Sequence, residues 1–247
     1  MLLYAAQHGA ERDGARLALL LQERGLGGRG EDLAARLERW NGDRSARAEA
    51  SRKLAERWAR AARGLVETHT QSQPPLAVLL AEGFPDNLSR RRSPTGEEWL
   101  AAGGRGLRLD PASSLSRAEW LAVGEAQGEA KGARITGAIA LTEGEVTRWL
   151  PHRLQRRTAL RWVADERRVE ALLETRLGAI TLARGSDPAP DPDQVRAFLC
   201  ERLRGDGLDL LPWSPASQAL LRRARYAGVD ALTEEALRAA PPGPGSR

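Results

Sequence analysis

The sequence predicts an α+β protein with an N-terminal helical module, a central β-domain and C-terminal helices, and three observations support this. Up to residue 84, apolar residues recur every three or four positions, which is the spacing of one helix face. From residue 85 the apolar segments become shorter, and turn sequences such as SPTG at residues 93–96 separate them. After residue 187, two proline-containing helix starts follow each other.

The helical module, residues 1–84, is predicted to contain four or five helices joined by short glycine-rich turns. Leu33, Leu37 and Trp40 share one face of such a helix, and an alanine- and leucine-rich stripe runs through residues 46–65. Residues 25–30, GLGGRG, match the G-x-G-x-x-G pattern of dinucleotide-binding loops. That chemistry needs a strand before the loop, whereas a helical segment precedes this one, so we predict a helix-to-helix turn.

The β-domain, residues 85–186, begins with five short strand candidates, which are compatible with an OB-type barrel. These candidates are residues 87–92, 98–102, 106–109, 119–126 and 133–141. Thr142 and Glu145 then have the capping-box spacing, which predicts a short helix ending near residue 150. Three further strands are predicted at residues 159–164, 169–176 and 179–183.

The C-terminal segment, residues 187–240, is predicted to be helical. Asp191-Pro192 and Ser214-Pro215 each place a capping side chain before a proline at the first helical position. Cys200 lies on the apolar stripe of the first of these helices, so we predict a buried structural thiol rather than a nucleophile. The Pro- and Gly-rich residues 241–247 are predicted to be a disordered tail.

The chain of 247 residues has a formal net charge of +5, and only Lys53 and Lys131 among its 38 basic residues are lysines. Two explanations of this arginine excess stay open. The arginine guanidinium forms bidentate hydrogen bonds with phosphate and stacks on bases, which suits binding to nucleic acid. A GC-rich genome, however, also favours arginine codons. A single cysteine, the lack of a secretory signal and the lack of a long apolar run predict a cytoplasmic protein without a membrane partner.

Four stretches of the sequence resemble the C-terminal region of the HrpB-type branch of DEAH-box ATP-dependent RNA helicases. They are FPDNLSRRR at 84–92, GRGLRLDPASSLSRAEWLAV at 104–123, RLGAITLARGSDPAPDP at 176–192 and GLDLLPWSPASQALLRRARY at 207–226. The resemblance implies that the helical module corresponds to a ratchet-like domain and that the β-domain is an OB-type domain placed against RNA. It also implies that the motor domains lie outside this chain.

No residue of the chain is predicted to be catalytic. A P-loop needs a lysine between glycine and Ser or Thr, and neither Lys53 nor Lys131 has that context; no DEAH sequence is present either. The resemblance implies ATP and Mg²⁺ for the complete enzyme, whereas for this chain we predict no cofactor. His8, His69 and His152 are far apart and lack neighbouring ligands at metal-binding spacing, so no metal site is predicted.

The remaining candidate function is contact with nucleic-acid phosphates. Arg90, Arg91 and Arg92 lie on the first strand, where alternation puts Arg90 and Arg92 on one face and Arg91 on the other. A solvated edge strand, protected from pairing by its charges, is the alternative explanation. The other candidate side chains flank a glycine-rich turn or lie in a basic run interleaved with Trp149 and Trp162; they are Arg105, Arg108, Arg153, Arg156 and Arg157.

Those two tryptophans fit base stacking, although tryptophan in a small β-domain also fits the core. We therefore predict an accessory part of an HrpB-type helicase that guides single-stranded RNA or DNA, with the motor domains as partners in cis or in trans. The alternatives are a free-standing module that binds nucleic acid or a helicase in trans, and the product of a broken gene.

Overall fold

The computed structural model describes residues 1–128, 131–207, 210–211 and 213–239, and it separates the chain into two compact units. The first unit comprises Met1–Gln155 and Thr175–Leu182, and the second comprises Arg156–Glu174 and Ala183–Arg247. The tail predicted at residues 241–247 lies outside the described residues.

The first unit begins with a helical module in which the predicted amphipathic patterns form helices. Their bounds are α1 Leu2–Gln7, α2 Glu11–Gln22, α3 Leu33–Gly42, α4 Ala46–Gly64 and α5 Leu76–Gly83. The Asp32 carboxylate caps α3 by accepting from the amides of Ala34 and Ala35, and the Ser45 hydroxyl caps α4 by accepting from Ala48. The leucines of α2 and the alanines of α4 are buried in one core, because small residues on α4 allow close approach.

The GLGGRG sequence connects α2 to α3, so the predicted helix-to-helix turn is confirmed. Gly27 has a left-handed backbone with φ of +66°, and a Cβ atom placed there would lie 1.9 Å from the carbonyl oxygen of Arg36. Only glycine fits this position without moving the backbone of α3. After the loop, the Glu31 carbonyl accepts a 2.8 Å hydrogen bond from the amide of Ala138, which ties the chain to the β-domain just before α3 begins.

The first five strands of the β-domain form a closed barrel, as predicted, in the order β1-β2-β3-β5-β4. The strands are β1 Leu88–Arg91, β2 Glu98–Ala101, β3 Gly106–Arg108, β4 Trp120–Gln127 and β5 Lys131–Leu141. The β3–β5 pair is parallel, and the other pairs are antiparallel. Alternate side chains fill the interior, among them Trp99, Leu107, Leu121, Val123 and Ile135, because a half-buried strand places every second residue on the core side.

A second core joins the barrel to the helices. Trp120, Ala122 and Ile139 of the barrel belong to the same buried cluster as the leucines of α2, α3 and α5. Gly124 makes close contact possible, since a Cβ atom there would lie 2.9 Å from Leu21 and 3.0 Å from Leu80. The helical module and the barrel are therefore packed on each other within the first unit.

The barrel is followed by α6, Glu143–Trp149, which begins with the predicted capping box of Thr142 and Glu145. Three more strands form a separate sheet in the order β6-β7-β8, with bounds β6 Gln155–Val163, β7 Arg168–Leu177 and β8 Ile180–Ser186. The turn between β7 and β8 lies against the end of β2, where the amide of Ala179 donates a 2.8 Å hydrogen bond to the carbonyl of Ala102.

The second unit contains α7 Pro192–Asp206, α8 Pro215–Tyr226 and α9 Glu234–Ala239. Asp191 and Ser214 cap α7 and α8 as predicted, each before a proline. Cys200 is only half-buried, so the prediction of a buried thiol is wrong; the apolar stripe of α7 contributes no fully buried residue. None of the helices in the described ranges combines the length and the apolar character that crossing a membrane requires.

Candidate nucleic-acid interface

The arginines of β1 alternate between the two faces of the strand. Arg91 lies opposite the inward-facing Trp99, and its guanidinium donates to the carbonyl of Ser116 at 3.2 Å. Arg90 points the other way and donates to the carbonyl of Thr181 at 3.0 Å and to the Glu119 carboxylate at 3.1 Å. Both side chains therefore already hold parts of the first unit together.

Arg90 is further fixed by the surface it lies on. Its guanidinium carbon is 5.5 Å from the ring centroid of Trp120, which is within the range of a cation–π contact. A second carboxylate, that of Glu143 at the start of α6, lies 3.4 Å away, and only 31% of the side chain is exposed. A phosphate approaching Arg90 would have to compete with two carboxylates and a carbonyl.

Arg92 and Arg105 are exposed, and neither side chain makes a hydrogen bond or an ion pair to any other described residue. The backbone places both beside β2: the Arg92 amide donates to the Glu98 carbonyl, and the Ala101 amide donates to the Arg105 carbonyl. Arg108 is directly opposite Glu98 on β3, and its side chain is 59% exposed and 3.8 Å from the Glu97 carboxylate. Such an exposed ion pair is weak, so these three arginines have donors available for a ligand.

The charges around these three arginines are mixed. Arg92 just after β1, Glu98 on β2 and Arg108 on β3 lie side by side, and Arg134 of β5 continues the row. Arg134 is 3.6 Å from both Glu31 and Asp110. Acidic and basic side chains thus nearly balance on this surface, which we call the β1–β3 face. An anion at this surface would therefore meet individual guanidinium groups rather than a uniform positive field.

Part of the outer surface of the barrel is covered by the turn between β7 and β8. Thr181 accepts from Arg90, Ala179 donates to Ala102, and the side chain of Leu100 packs against the core to which Leu177 and Ile180 belong. The side chains of Arg92 and Arg108 take no part in these contacts and are exposed. The local sequence carries no signal of which strand this turn would cover.

Arg153 is held in an ion pair. Its guanidinium donates to the Glu82 carboxylate at 2.7 Å, and the Glu82 side chain at the end of α5 is only 7% exposed. His152 also lies 2.9 Å from the same carboxylate. Because a buried carboxylate needs a cationic partner, Arg153 joins the 3₁₀ turn after α6 to α5 within the first unit.

We expect Arg153→Gln to lower the free energy of unfolding by about 1–2 kcal/mol, because it leaves the Glu82 carboxylate with a weaker partner. Arg156→Gln is the matched control, since the Arg156 side chain is exposed and has no described partner. Urea denaturation of both variants measures the difference. Equal stability of the two variants would show that the Arg153–Glu82 pair does not support the fold.

In the second unit, Arg156 and Arg157 of β6 are exposed, and their side chains make no ion pair or hydrogen bond within the described chain. Other arginines of this basic run are paired: Arg161 contacts Glu170, and Arg168 contacts Glu166, lowering the pKa of that carboxyl through a hydrogen bond. Trp149, in the first unit, packs against the core, and Trp162 is half-buried. Available donors in this run therefore come from Arg156 and Arg157.

The arginine face of α4 is also partly occupied. Arg47 donates to the carbonyl of Arg24, Arg52 donates to the carbonyl of Trp40, and Arg63 pairs with Glu11. Arg57 and Arg60 remain exposed. No group of three or more His, Cys, Asp or Glu residues in the described ranges is arranged to hold a metal ion.

Comparison with known proteins gives a curated relative and a set of solved structures, whereas no family model matches the chain. Over 150 residues, which is 60% of this chain, the sequence is 31% identical to the ATP-dependent RNA helicase HrpB of Escherichia coli K12. The chain is similar to HrpB. The resemblance seen in the sequence is thereby confirmed.

The HrpB similarity extends to the fold. Two crystal structures of E. coli HrpB, described as a DExH-box NTPase and as a DEAH/RHA helicase, match with TM-scores of 0.63 and 0.60. Both are 24% identical in sequence, and the matches cover 97% and 94% of this chain. The predicted fold class, helices followed by a barrel, extra strands and further helices, is confirmed.

The match accounts for only part of HrpB. The aligned region spans 18% of the length of the curated relative and 30% and 29% of the two crystallised chains. The activity named for HrpB belongs to a protein several times longer than the matched region, and its transfer to this chain is a proposal.

Proposed function

We propose that this chain is an accessory part of an HrpB-type RNA helicase that guides single-stranded nucleic acid in the cytoplasm. Its principal contacts are the phosphate groups of the nucleic acid, bound by Arg92 and Arg108 on the β1–β3 face and by Arg105 in the turn between β2 and β3. The proposal rests on the similarity to HrpB together with one structural observation. The barrel has exposed arginines whose guanidinium groups have N–H donors available for a ligand. Five-stranded barrels of the OB type use the second and third strands to bind oligonucleotides.

In this proposal Arg90, Arg91 and Arg153 position the barrel rather than the nucleic acid, because each guanidinium already donates to another group of the first unit. Arg156 and Arg157 provide a second contact on β6. The chain consumes no ATP by itself, since its sequence has no P-loop or DEAH motif, and motor domains in cis or in trans supply the energy.

The test is the binding of the purified chain to a labelled single-stranded RNA of about 12 nucleotides, a length within the range of OB-type sites. We expect affinity to fall steeply between about 50 and 200 mM salt, because phosphate contacts release counterions. Substituting Arg92, Arg105 and Arg108 together with glutamine should lower the slope of log K against log salt by about 2, since each phosphate that is no longer neutralised changes it by about 0.7.

The matched control replaces Arg44, Arg57 and Arg60 of the helical module with glutamine, which changes the net charge equally. We expect this control to alter the salt slope much less. Equal effects of the two triple variants would contradict a contact at the β1–β3 face, and a flat salt response would contradict phosphate binding altogether. Binding of a separately expressed HrpB motor, rather than of RNA, would instead support a module that acts in trans.

A further inference from the structure

Helix α8 of the second unit has a basic surface without acidic partners. Its sequence, PASQALLRRARY, contains three arginines and no acidic residue. Arg222, Arg223 and Arg225 are exposed, and none of them makes a hydrogen bond or an ion pair with a residue in the described ranges. The next acidic residue along the chain, Asp230, is exposed and forms no ion pair with them either. Their guanidinium donors are therefore available for a ligand.

The arginines of the preceding helix, α7, are placed differently. Arg196 lies 3.3 Å from Asp193, and Arg202 lies 2.6 Å from Asp206, so each has a carboxylate one helical turn away. Opposite charges at this spacing stabilise an exposed helix slightly. In α8 the positions three and four residues from each arginine hold no acidic residue. The charges of α8 therefore lack the neutralisation that those of α7 have.

The arginines near the end of α8 are not needed to cap the helix. The carbonyl oxygens of Arg223 and Ala224 accept hydrogen bonds from the amides of Ala227 and Val229, at 2.9 and 3.0 Å. Gly228 allows this turn with a left-handed backbone, at a φ of +68°. Backbone amides thus satisfy these carbonyls, and the guanidinium groups contribute at most their charge to the helix dipole.

Tyr226 presents an aromatic ring beside these charges and is 96% exposed. Residues three and four positions apart are neighbours on a helix, so Tyr226 lies next to Arg222 and Arg223. Ala224 lies on the opposite side of α8 and is buried, so the helix packs on the second unit through that side. The outward stripe, which we call the α8 face, consists of Gln218, Arg222, Arg225 and Tyr226.

We propose that the α8 face binds single-stranded nucleic acid, with a base stacked on Tyr226 and neighbouring phosphates bound by Arg222 and Arg225. A positively charged surface combined with an exposed aromatic ring is typical of sites that bind single strands without reading their sequence. The inference rests on the proposed function for the class of partner. It adds a separate site in the second unit, which does not require the β1–β3 face.

An anionic membrane also attracts basic helices, but the composition of α8 favours nucleic acid. A helix that lies on a membrane inserts a continuous apolar face between the lipids. Among the described residues of α8, Leu220 is the only exposed leucine, and Ala224 is buried. One leucine and one tyrosine do not form such a face, whereas a single exposed ring is sufficient to stack one base.

The test uses the full chain and an oligouridylate of about 8 nucleotides that carries 5-iodouridine, which cross-links to a stacked aromatic ring under ultraviolet light. Mass spectrometry should locate a cross-link at Tyr226, and its yield against RNA concentration measures occupancy of the α8 face alone. Replacing Arg222 and Arg225 together with glutamine should raise the half-maximal RNA concentration by about tenfold or more. The slope of log K against log salt should fall by about 1.4, because each lost phosphate contact changes it by about 0.7.

Two controls accompany this variant. Tyr226→Phe retains the ring and should retain the cross-link. Arg57→Gln with Arg60→Gln removes two exposed arginines that have the same three-residue spacing on α4, and it should leave the cross-link at Tyr226 unchanged. Circular dichroism of all variants should match that of the original chain, because every substituted side chain is exposed.

The absence of a cross-link at Tyr226 would overturn the proposal, as would an equal weakening in the Arg57 and Arg60 control. Binding to vesicles that contain phosphatidylserine, if lost on substitution of Arg222 and Arg225 while RNA gives no cross-link, would assign the α8 face to membranes instead. The triple glutamine variant of the β1–β3 proposal should retain the cross-link. A retained cross-link with no effect of that triple variant on overall RNA affinity would reject the β1–β3 contact and leave the α8 contact standing.

Discussion

Replacing Trp120 by alanine is expected to lower the free energy of unfolding of the first unit by about 3–5 kcal/mol. Trp120 begins β4, is completely buried, and lies opposite Arg90 on β1 and Leu141 on β5. It belongs to the core that the helices share with the barrel, so the cavity left by alanine would be lined by both. Equilibrium denaturation in urea, followed by circular dichroism, measures the decrease.

A phenylalanine at the same position is the control for the size of the side chain. The indole N–H of Trp120 is buried and makes no hydrogen bond within the described chain. Trp120→Phe should therefore lower the free energy of unfolding by less than about 1.5 kcal/mol. In contrast, Trp99→Phe removes a 2.8 Å hydrogen bond to the carbonyl of Gly96 and should cost more than Trp120→Phe. If Trp120→Ala were no more destabilising than Trp120→Phe, packing of the ring between helices and barrel would be ruled out.

Replacing Gly178 by alanine is expected to lower the free energy of unfolding by about 2–4 kcal/mol. It should also detach the turn between β7 and β8 from the barrel. Gly178 has a φ of +53°, and a Cβ atom there would lie 2.2 Å from the carbonyl oxygen of Ala102. Relief of that clash would break the hydrogen bond from the Ala179 amide to the same carbonyl. Faster hydrogen exchange of the Ala179 amide, together with urea denaturation, measures the effect.

Gly104→Ala is the matched control for this variant. Gly104 also has a left-handed backbone, with a φ of +88°, but the nearest atom to an added Cβ is 3.8 Å away. Gly104→Ala therefore introduces backbone strain but no clash, and it should lower the free energy of unfolding by about 1–2 kcal/mol. An equal decrease in the free energy of unfolding in the two variants would mean that the turn is not in close contact with the barrel.

The proposed contact with nucleic acid depends on a few guanidinium groups, because only some of the predicted arginines have available donors. The distinction matters for mutagenesis, since substituting Arg90 or Arg153 would disturb the fold and lower RNA binding indirectly. Substitution of Arg92 and Arg105 avoids this ambiguity, because neither side chain has a partner within the described chain.

The sequence by itself determined the features that depend on neighbouring residues. The capping box at Thr142, the helix starts at Asp191 and Ser214, and the alternation of Arg90 and Arg91 follow from local backbone geometry. The change from helical to strand periodicity at residue 85 likewise predicted the order of helices and barrel. Such features are encoded within a few residues, where propensity and spacing are informative.

Only the tertiary structure decided which arginines have side-chain donors available. Arg90 meets Thr181 across 91 residues of sequence, and Arg36 meets Glu125 across 89. No local pattern specifies such partners, because they are brought together by closure of the barrel and by burial of apolar surface between helices and strands. An exposed guanidinium and an engaged one look identical in the sequence; their difference arises only from the carboxylates and carbonyls that folding places beside them.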